Sequence, residues 1–310
     1  MLSIAILGPG AIGGFLATLF WKMKYDVICI GNDKTVEAIC SEGIRLKSSV
    51  FGDFLARPRA ANCLSSNVDV IFVTVKMPNL ETSLKRIELD LVEPSLVVPL
   101  LNGREQYEAL RMVFGGAVVA GSIGSIQANK SMSVVHHYSK SAPKIELATN
   151  NSALTRKVSI LSNTLKAVGI KAEILAREEE VIWNKLIRLD AISSMTTALQ
   201  TDLGEVLGNK RAKRLLRGLI YETALVALKE GLFFDPSKIL SDIENLPSSL
   251  KTSMQRDVAV GRVSEATSIT GSIITLAKKH EVQVPFHEEV FSLIEVQIHN
   301  AANLNKRTKK

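Results

Sequence analysis

Apolar and polar residues change rhythm along this chain, and the change divides it in two. Residues 2–7, "LSIAIL", form a short, nearly continuous apolar run, the signature of a strand covered on both faces. Residues 11–24, "AIGGFLATLFWKMK", read as a helix that is mostly apolar and therefore packed against something. "DVICIG" at 26–31 is a second strand. The alternation continues with strands at 68–76, 95–103 and 116–124, then 133–138 and 143–147 as antiparallel additions, and a last strand at 170–175. Beyond that, helical periodicity dominates, with helices predicted at 178–199, 212–232, 250–262, 265–280 and 288–303. The pattern predicts an α/β Rossmann domain with a mostly parallel, doubly wound sheet over residues 1–176, followed by an all-α domain over 177–310.

Composition narrows the class without changing this picture. The chain has 310 residues, 46% of them hydrophobic and 22% charged, as an ordinary globular protein has. Glycines and a proline interrupt the apolar opening and no lysine precedes it, so a secretory leader is not expected. No run is long enough for a membrane span. Three cysteines, Cys29, Cys40 and Cys63, have neither the spacing nor the number for a metal site or a disulfide framework, and a reducing cytoplasm is expected. The net charge is +7, but Lys306, Arg307, Lys309 and Lys310 supply four of those charges from one terminal tail. With no aromatic-basic stripe or recognition motif, nucleic-acid binding is not expected.

Candidate chemistry begins at the turn between the first strand and the first helix. Gly8, Gly10 and Gly13 have Gly-x-Gly-x-x-Gly spacing inside "GPGAIGG". Gly8 permits the sharp turn, Gly10 lets a pyrophosphate approach the backbone, and Gly13 lets the helix lie against the sheet. The helix N-terminus then offers unpaired N–H groups to phosphate. Strand, helix and second strand follow on schedule, so Gly8, Pro9, Gly10, Ala11, Ile12 and Gly13 are candidate dinucleotide contacts; a glycine-rich structural turn is the alternative. Lys76 and Asn102 stand at the carboxyl ends of later strands, where an open parallel sheet binds ligands. His136 and His137 have no carboxylate or further histidine at ligand spacing, and a loop or strand-face role is expected rather than catalysis. In the helical half, Lys185 sits beside Trp183, Leu186 and Leu189, with Arg188 about one turn on. A buried lysine whose pKa is lowered suits protonation of a nascent alkoxide in a cleft between the halves. The residues alone leave open whether Lys185 and Arg188 are that pair or two solvated cations.

The order of these pieces resembles the ketopantoate reductase (2-dehydropantoate 2-reductase) family, nearly end to end. "GPGAIGG", "VTVK" ending at Lys76, Asn102-Gly103, "WNKL" around Lys185 and "SMQRD…SE" from Ser253 to Glu265 carry the resemblance, the last being the most specific. It implies reduction of a branched 2-keto acid to the 2-hydroxy acid with NADPH, in the pathway to pantothenate and coenzyme A. Lys185 would be the general acid, Asn102 would touch nicotinamide and substrate, Ser253 would bind substrate, Glu265 would contact cofactor or substrate, and Lys76 would hold the cofactor. No metal is implied.

Departures from the family pattern limit what the resemblance implies. Where it implies asparagines one and two turns after the lysine, this chain has Leu189 and Ser193; Leu203 and Leu250 stand at two further polar positions. Ser193 keeps a hydroxyl and stays a candidate substrate contact. Each unmet buried polar group costs about 1–3 kcal/mol, so a 2-keto acid with a tail more apolar than ketopantoate's is an open alternative. At the end of the second strand, where an acidic residue would select NAD and an arginine NADP, the chain offers Gly31, Asn32, Asp33 and Lys34. Asn32 and Lys34 favour NADPH and leave NAD open. A related hydroxy-acid or opine-like dehydrogenase and a non-catalytic dinucleotide sensor are the competing functions. Both a monomer and a homodimer fit the sequence.

Overall fold

The computed structural model describes residues 1–91, 95–124 and 126–307, and the side chains of 304–307 are outside that description. Lys309 and Lys310, the end of the basic tail, lie outside the described residues. The chain forms two compact units, Met1–Leu101 with Gln106–Ile182, and Asn102–Glu105 with Trp183–Lys310.

In the first unit the strands are β1 (Ser3–Leu7), β2 (Asp26–Ile30), β3 (Ile44–Ser48), β4 (Gly52–Ala56), β5 (Arg59–Ala61), β6 (Val70–Val73) and β7 (Leu96–Pro99). They continue with β8 (Ala120–Gly124), β9 (Ala128–Ser131), β10 (Val134–His137), β11 (Lys144–Ala148) and β12 (Lys171–Ile174). Five of them make a parallel sheet in the order β5-β2-β1-β6-β7. The chain works outward from β1 to one side and then returns to build the other. The order therefore reverses between β1 and β6, and the carboxyl ends of those strands form the switch point where doubly wound sheets bind ligands. This is the expected α/β Rossmann topology. The strands are nearly continuous apolar runs because both sheet faces are covered, Ile4 to Leu7 being fully buried.

The helices of this unit are α1 (Ala11–Lys22), α2 (Asp33–Glu42), α3 (Leu80–Leu84), α4 (Glu105–Phe114) and α5 (Thr155–Ala167). Residues Gly13 to Phe20 of α1 are all buried. The reason is a second sheet, β4-β3-β10-β9, lying on the side of α1 away from β1: a Cβ on Gly14 would come within 3.0 Å of Val135 in β10. A third sheet, β12-β11-β8, completes the unit.

Several expectations are corrected here. The strands β3, β4, β5 and β9 are too short and too polar to show a clear period, and the apolar pattern misses them. The strand at 116–124 starts only at Ala120 and pairs antiparallel with β11, meeting the parallel sheet through the bridge between Val97 and Val118. β10 pairs antiparallel with β9 but parallel with β3, and β11 pairs parallel with β12. His137 has the expected strand-face role, its Nδ1 lying 2.9 Å from Ser48 Oγ.

The second unit is helical: α6 (Glu178–Leu199), whose first residues belong to the first unit, then α7 (Leu203–Gly208), α8 (Lys210–Lys229), α9 (Pro236–Glu244), α10 (Ser253–Ala259), α11 (Ser272–Lys279) and α12 (Pro285–Arg307). Each of α7, α8, α9 and α10 starts at a side-chain cap, from Asp202, Asn209, Asp235 and Thr252 respectively. The helix expected over 265–280 is continuous from Ala266 to Lys279, with a π-turn at Thr267–Gly271 that leads into α11. The short α7 and α9 were not expected from periodicity, since neither exceeds about two and a half turns. Trp183, Ile187, Met195 and Leu216 lead a single apolar core. No described helix is long and apolar enough to cross a membrane.

Candidate active site

The candidate residues fall into two sets, one in each unit. In the first unit the glycine turn has the constraints its spacing implies. Gly8 has φ +83°, and a Cβ there would meet Val75 Cγ1 at 2.3 Å. A Cβ on Gly13 would strike Thr74 Oγ1 at 2.3 Å and the Gly8 carbonyl at 2.7 Å. The Thr74 hydroxyl reinforces this close approach by donating to the Gly8 carbonyl at 2.8 Å. Gly10 differs from both, since a Cβ there would have only the Gly8 carbonyl near it, at 3.9 Å. Two glycines thus serve internal packing, and the one that should face a phosphate faces open space. With Ala11 and Ile12 starting α1, the turn presents backbone N–H groups and the positive end of the helix. The residues present fit a dinucleotide diphosphate.

Four further residues of the first unit bear on these strand ends, two of which lack any local sequence signal. Lys130 in β9 donates from Nζ to the Pro9 carbonyl at 2.7 Å, and burial lowers its pKa below the ordinary lysine value. Arg86, just after α3, donates to the Gly31 carbonyl at the end of β2 at 3.0 Å. Both are brought in by tertiary structure from positions far along the chain. Asn32 accepts from Thr35 N at 3.0 Å, so its side-chain oxygen caps α2. Lys76 lies three residues beyond β6 and directly precedes the short 3-10 turn Met77–Asn79, its carbonyl accepting from Asn79 N at 2.9 Å.

In the second unit, Asn102, Lys185 and Glu265 come together. The Asn102 side-chain amide donates to Glu265 Oε2 at 2.9 Å. Gly103, with φ +89°, lets the chain pass tightly over the π-turn, where a Cβ would come within 2.7 Å of the Ser268 carbonyl. Arg104 pairs with Glu230 at 3.4 Å, so three consecutive residues each contact the helical unit. Glu265 is buried, and its backbone carbonyl accepts from Ile269 N and Ser268 Oγ at the start of the π-turn. A π-turn inside a helix often marks a functional position, and here it follows directly on the Glu265 carboxylate.

Burial pulls the Lys185 amine down to about 8, and the charge of Glu265 opposes that fall. Arg188 has no part in it. Its Nη2 donates to Asp242 at 2.7 Å and its Nη1 to the Asn184 carbonyl, so of the two readings left open Arg188 is an ion-paired cation apart from the lysine.

At about 100° per residue, Leu189 and Ser193 follow Lys185 along one face of α6. Leu189 and Leu250 are partly buried at the margin of the helical core, whereas Leu203 is fully inside it. The Ser193 hydroxyl is buried with no hydrogen-bond partner among the described residues. Ser253 opens α10, and the Thr252 cap beside it lies 3.1 Å from Thr196 of α6, hydroxyl to hydroxyl. No cluster of His, Cys, Asp and Glu among the described residues could hold a metal ion.

Comparison with known proteins places this arrangement. A family model described as ketopantoate reductase PanE/ApbA matches residues 4–151, and its C-terminal counterpart matches residues 179–297. An uncharacterized oxidoreductase, YkpB, of Bacillus subtilis is 24% identical over 297 residues, covering 94% of this chain and 97% of its own. A 2-dehydropantoate 2-reductase of Archaeoglobus fulgidus is likewise 24% identical over 297 residues, covering 94% of this chain and 96% of its own. Among solved structures, D-mandelate dehydrogenase with NADH and anilino(oxo)acetate has a TM-score of 0.88 at 20% identity, covering 97% of this chain and 99% of that one. A PanE/ApbA family ketopantoate reductase from Ralstonia eutropha JMP134 has a TM-score of 0.85 at 22% identity, with the same coverage. At these identities the structural likeness speaks to the fold alone. The two family models together span most of the sequence, and the chain belongs to the ketopantoate reductase family of NAD(P)-dependent oxidoreductases that act on CH–OH groups.

Proposed function

We propose that this enzyme reduces a 2-keto acid to the 2-hydroxy acid with NADPH, that Lys185 is its general acid, and that the substrate tail is more apolar than that of ketopantoate. The observation that carries the reading is the amine of Lys185, pulled by burial to about 8 and set beside Glu265. When bound, the reduced nicotinamide supplies the hydride that converts a carbonyl to an alkoxide. Lys185 donates the proton that the oxygen needs. At neutral pH an amine of this pKa is mostly protonated, yet it is a much stronger acid than an ordinary lysine, which is the compromise a general acid requires. Glu265 serves two groups: it fixes the orientation of the Asn102 amide, and its charge keeps the Lys185 ammonium populated. Ser253 and Asn102 position the substrate. In the first unit, residues Gly8 to Gly13 cradle the diphosphate, and Lys76 and Asn32 lie at the same strand ends. The exposed free thiols of Cys40 and Cys63 suit a cytoplasmic enzyme.

Leu189 supports an apolar tail, since it follows Lys185 by one helical turn where the family resemblance implies an amide, and Leu250 supports it at a second such position. A protein of the same fold, D-mandelate dehydrogenase, has been solved with anilino(oxo)acetate, an oxo acid with an aromatic tail. Reduction of 2-dehydropantoate, the reaction named for the curated relatives, is the second reading. One observation favours it: the buried Ser193 hydroxyl without a partner among the described residues would suit a polar tail.

NADPH oxidation measured with ketopantoate, branched aliphatic and aromatic 2-keto acids distinguishes the two. The apolar acids are expected to exceed ketopantoate in kcat/KM by about tenfold, the value of one buried hydrogen bond. A preference for ketopantoate would reverse the substrate assignment and leave the reaction type standing. NADPH binding with no turnover of any 2-keto acid would favour the sensor.

A further inference from the structure

The choice between the two nicotinamide dinucleotides is made at the end of the second strand of a Rossmann sheet, and there this chain is unusual. The family resemblance implies an arginine at that place, but the chain has Gly31, Asn32, Asp33 and Lys34. Asn32 is engaged as the α2 cap through its side-chain oxygen. The Asp33 carboxylate, which would repel a 2′-phosphate, is tied to Asn62, whose Nδ2 donates to Asp33 Oδ1 at 2.7 Å. Lys34 is the one cation among them, and it is exposed on α2, a point charge without the planar fork of an arginine.

A guanidinium nevertheless reaches the same strand end. Arg86 Nη1 donates to the Gly31 carbonyl at 3.0 Å and to the Asn62 carbonyl at 3.1 Å. The Arg86 carbonyl in turn accepts from Leu64 N at 2.9 Å, so the backbone that carries the side chain is itself fixed beside the β5 end. Arg86 is half-buried, and among the described residues no carboxylate pairs with it. Both bonds leave from one of its three guanidinium nitrogens, and both acceptors are neutral. A guanidinium is always charged and presents a planar fork suited to phosphate. A cation partly withdrawn from water and held only by carbonyls lacks the counter-charge that buried charges normally have. An anion arriving at the β2 end would supply it.

We propose that Arg86 recognises the 2′-phosphate of NADPH and sets the preference of this enzyme for NADPH over NADH. The inference rests on the dinucleotide reading above and adds to it the residue that distinguishes the two cofactors. It also explains how the chain lacks the arginine implied for the β2 end without losing a cation there: the charge comes from the segment after α3.

The test compares dissociation constants of NADPH and NADH, measured by calorimetry, for the wild type, Arg86→Gln and Arg86→Lys. Arg86→Gln is expected to weaken NADPH about tenfold or more, the worth of a hydrogen bond to a charged group, and to leave NADH within about twofold. Arg86→Lys keeps the charge without the fork and should fall between. If the glutamine variant does not fold, the lysine variant decides by the same criterion: selective loss of NADPH supports the assignment, and equal loss of both dinucleotides overturns it. Equal loss is what a purely structural role at Gly31 and Asn62 would give. Unchanged affinities overturn the proposal as well, as does a wild type that binds NADH as tightly as NADPH, although that result leaves dinucleotide binding intact. A wild type that binds neither removes the cofactor reading and this proposal with it.

Discussion

Lys185→Ala is expected to lower kcat for 2-keto acid reduction by about 10²–10⁴-fold, the usual contribution of a positioned general acid, while NADPH binds within about threefold of the wild type. The two effects separate because the cofactor contacts proposed for the glycine turn lie in the first unit, whereas Lys185 lies in the second. Glu265→Gln should behave differently. It removes the charge that raises the Lys185 pKa, so the amine becomes a stronger acid but is less often protonated, and it alters the acceptor that orients Asn102. A fall in kcat and a rise in KM are expected. Steady-state kinetics with separate measurement of cofactor affinity checks both variants. A Lys185→Ala enzyme with more than about a tenth of wild-type kcat would remove the lysine from the chemistry.

The second large effect concerns stability. His287 is fully buried between two carboxylates, with Nε2 2.9 Å from Asp190 Oδ2 and Nδ1 2.6 Å from Glu222 Oε2. Glu222 also accepts the backbone N–H groups of Phe286 and His287, closing the first turn of α12, and Ser194 donates to Asp190. The three side chains join α6, α8 and α12 through one polar chain inside an otherwise apolar core. Burial alone would lower the His287 pKa, but the two carboxylates outweigh it and raise it to about 9. His287→Ala would leave two buried carboxylates without their cation, a change that typically costs about 3–5 kcal/mol. Urea unfolding at neutral pH measures it, and a loss below about 1 kcal/mol would mean that the carboxylates find other partners. The pH dependence has a definite sign. A histidine raised from its ordinary value of 6.5 to about 9 contributes its full stability below about pH 6.5 and loses it as pH rises through 9. The wild type should therefore lose stability across that alkaline range, and a His287→Gln variant should lose much less.

What the sequence reveals of this fold follows from the reach of each signal. The glycine spacing and the β1-α1-β2 unit are local, and each has a definite physical requirement at each position. The helix predicted at 178–199 matches α6 at both ends because three glutamates mark its start and the periodicity holds throughout. The strands β3, β4 and β9 left no comparable trace, since alternation over four or five half-polar residues is too short to register. The π-turn at Thr267–Gly271 is invisible for another reason: an inserted residue changes the helical phase without changing composition. In the candidate site, the residues alone leave the role of Lys185 open, and only the resemblance in motif order joins it to Glu265, 80 positions further on. Lys130 and Arg86 could not be proposed at all. Neither belongs to a motif, and only the folded chain brings them to Pro9 and Gly31.

The dependence on pH of kcat/KM for 2-keto acid reduction, at saturating NADPH, tests the account most directly. With Lys185 as proton donor, the rate is expected to hold below about 8 and to fall about tenfold per pH unit above it, as the amine loses its proton. In Lys185→Arg, whose guanidinium stays protonated, that alkaline limb should vanish along with most of the activity. A wild-type profile that stays flat well above pH 8, or an unchanged limb in the arginine variant, would contradict the assignment.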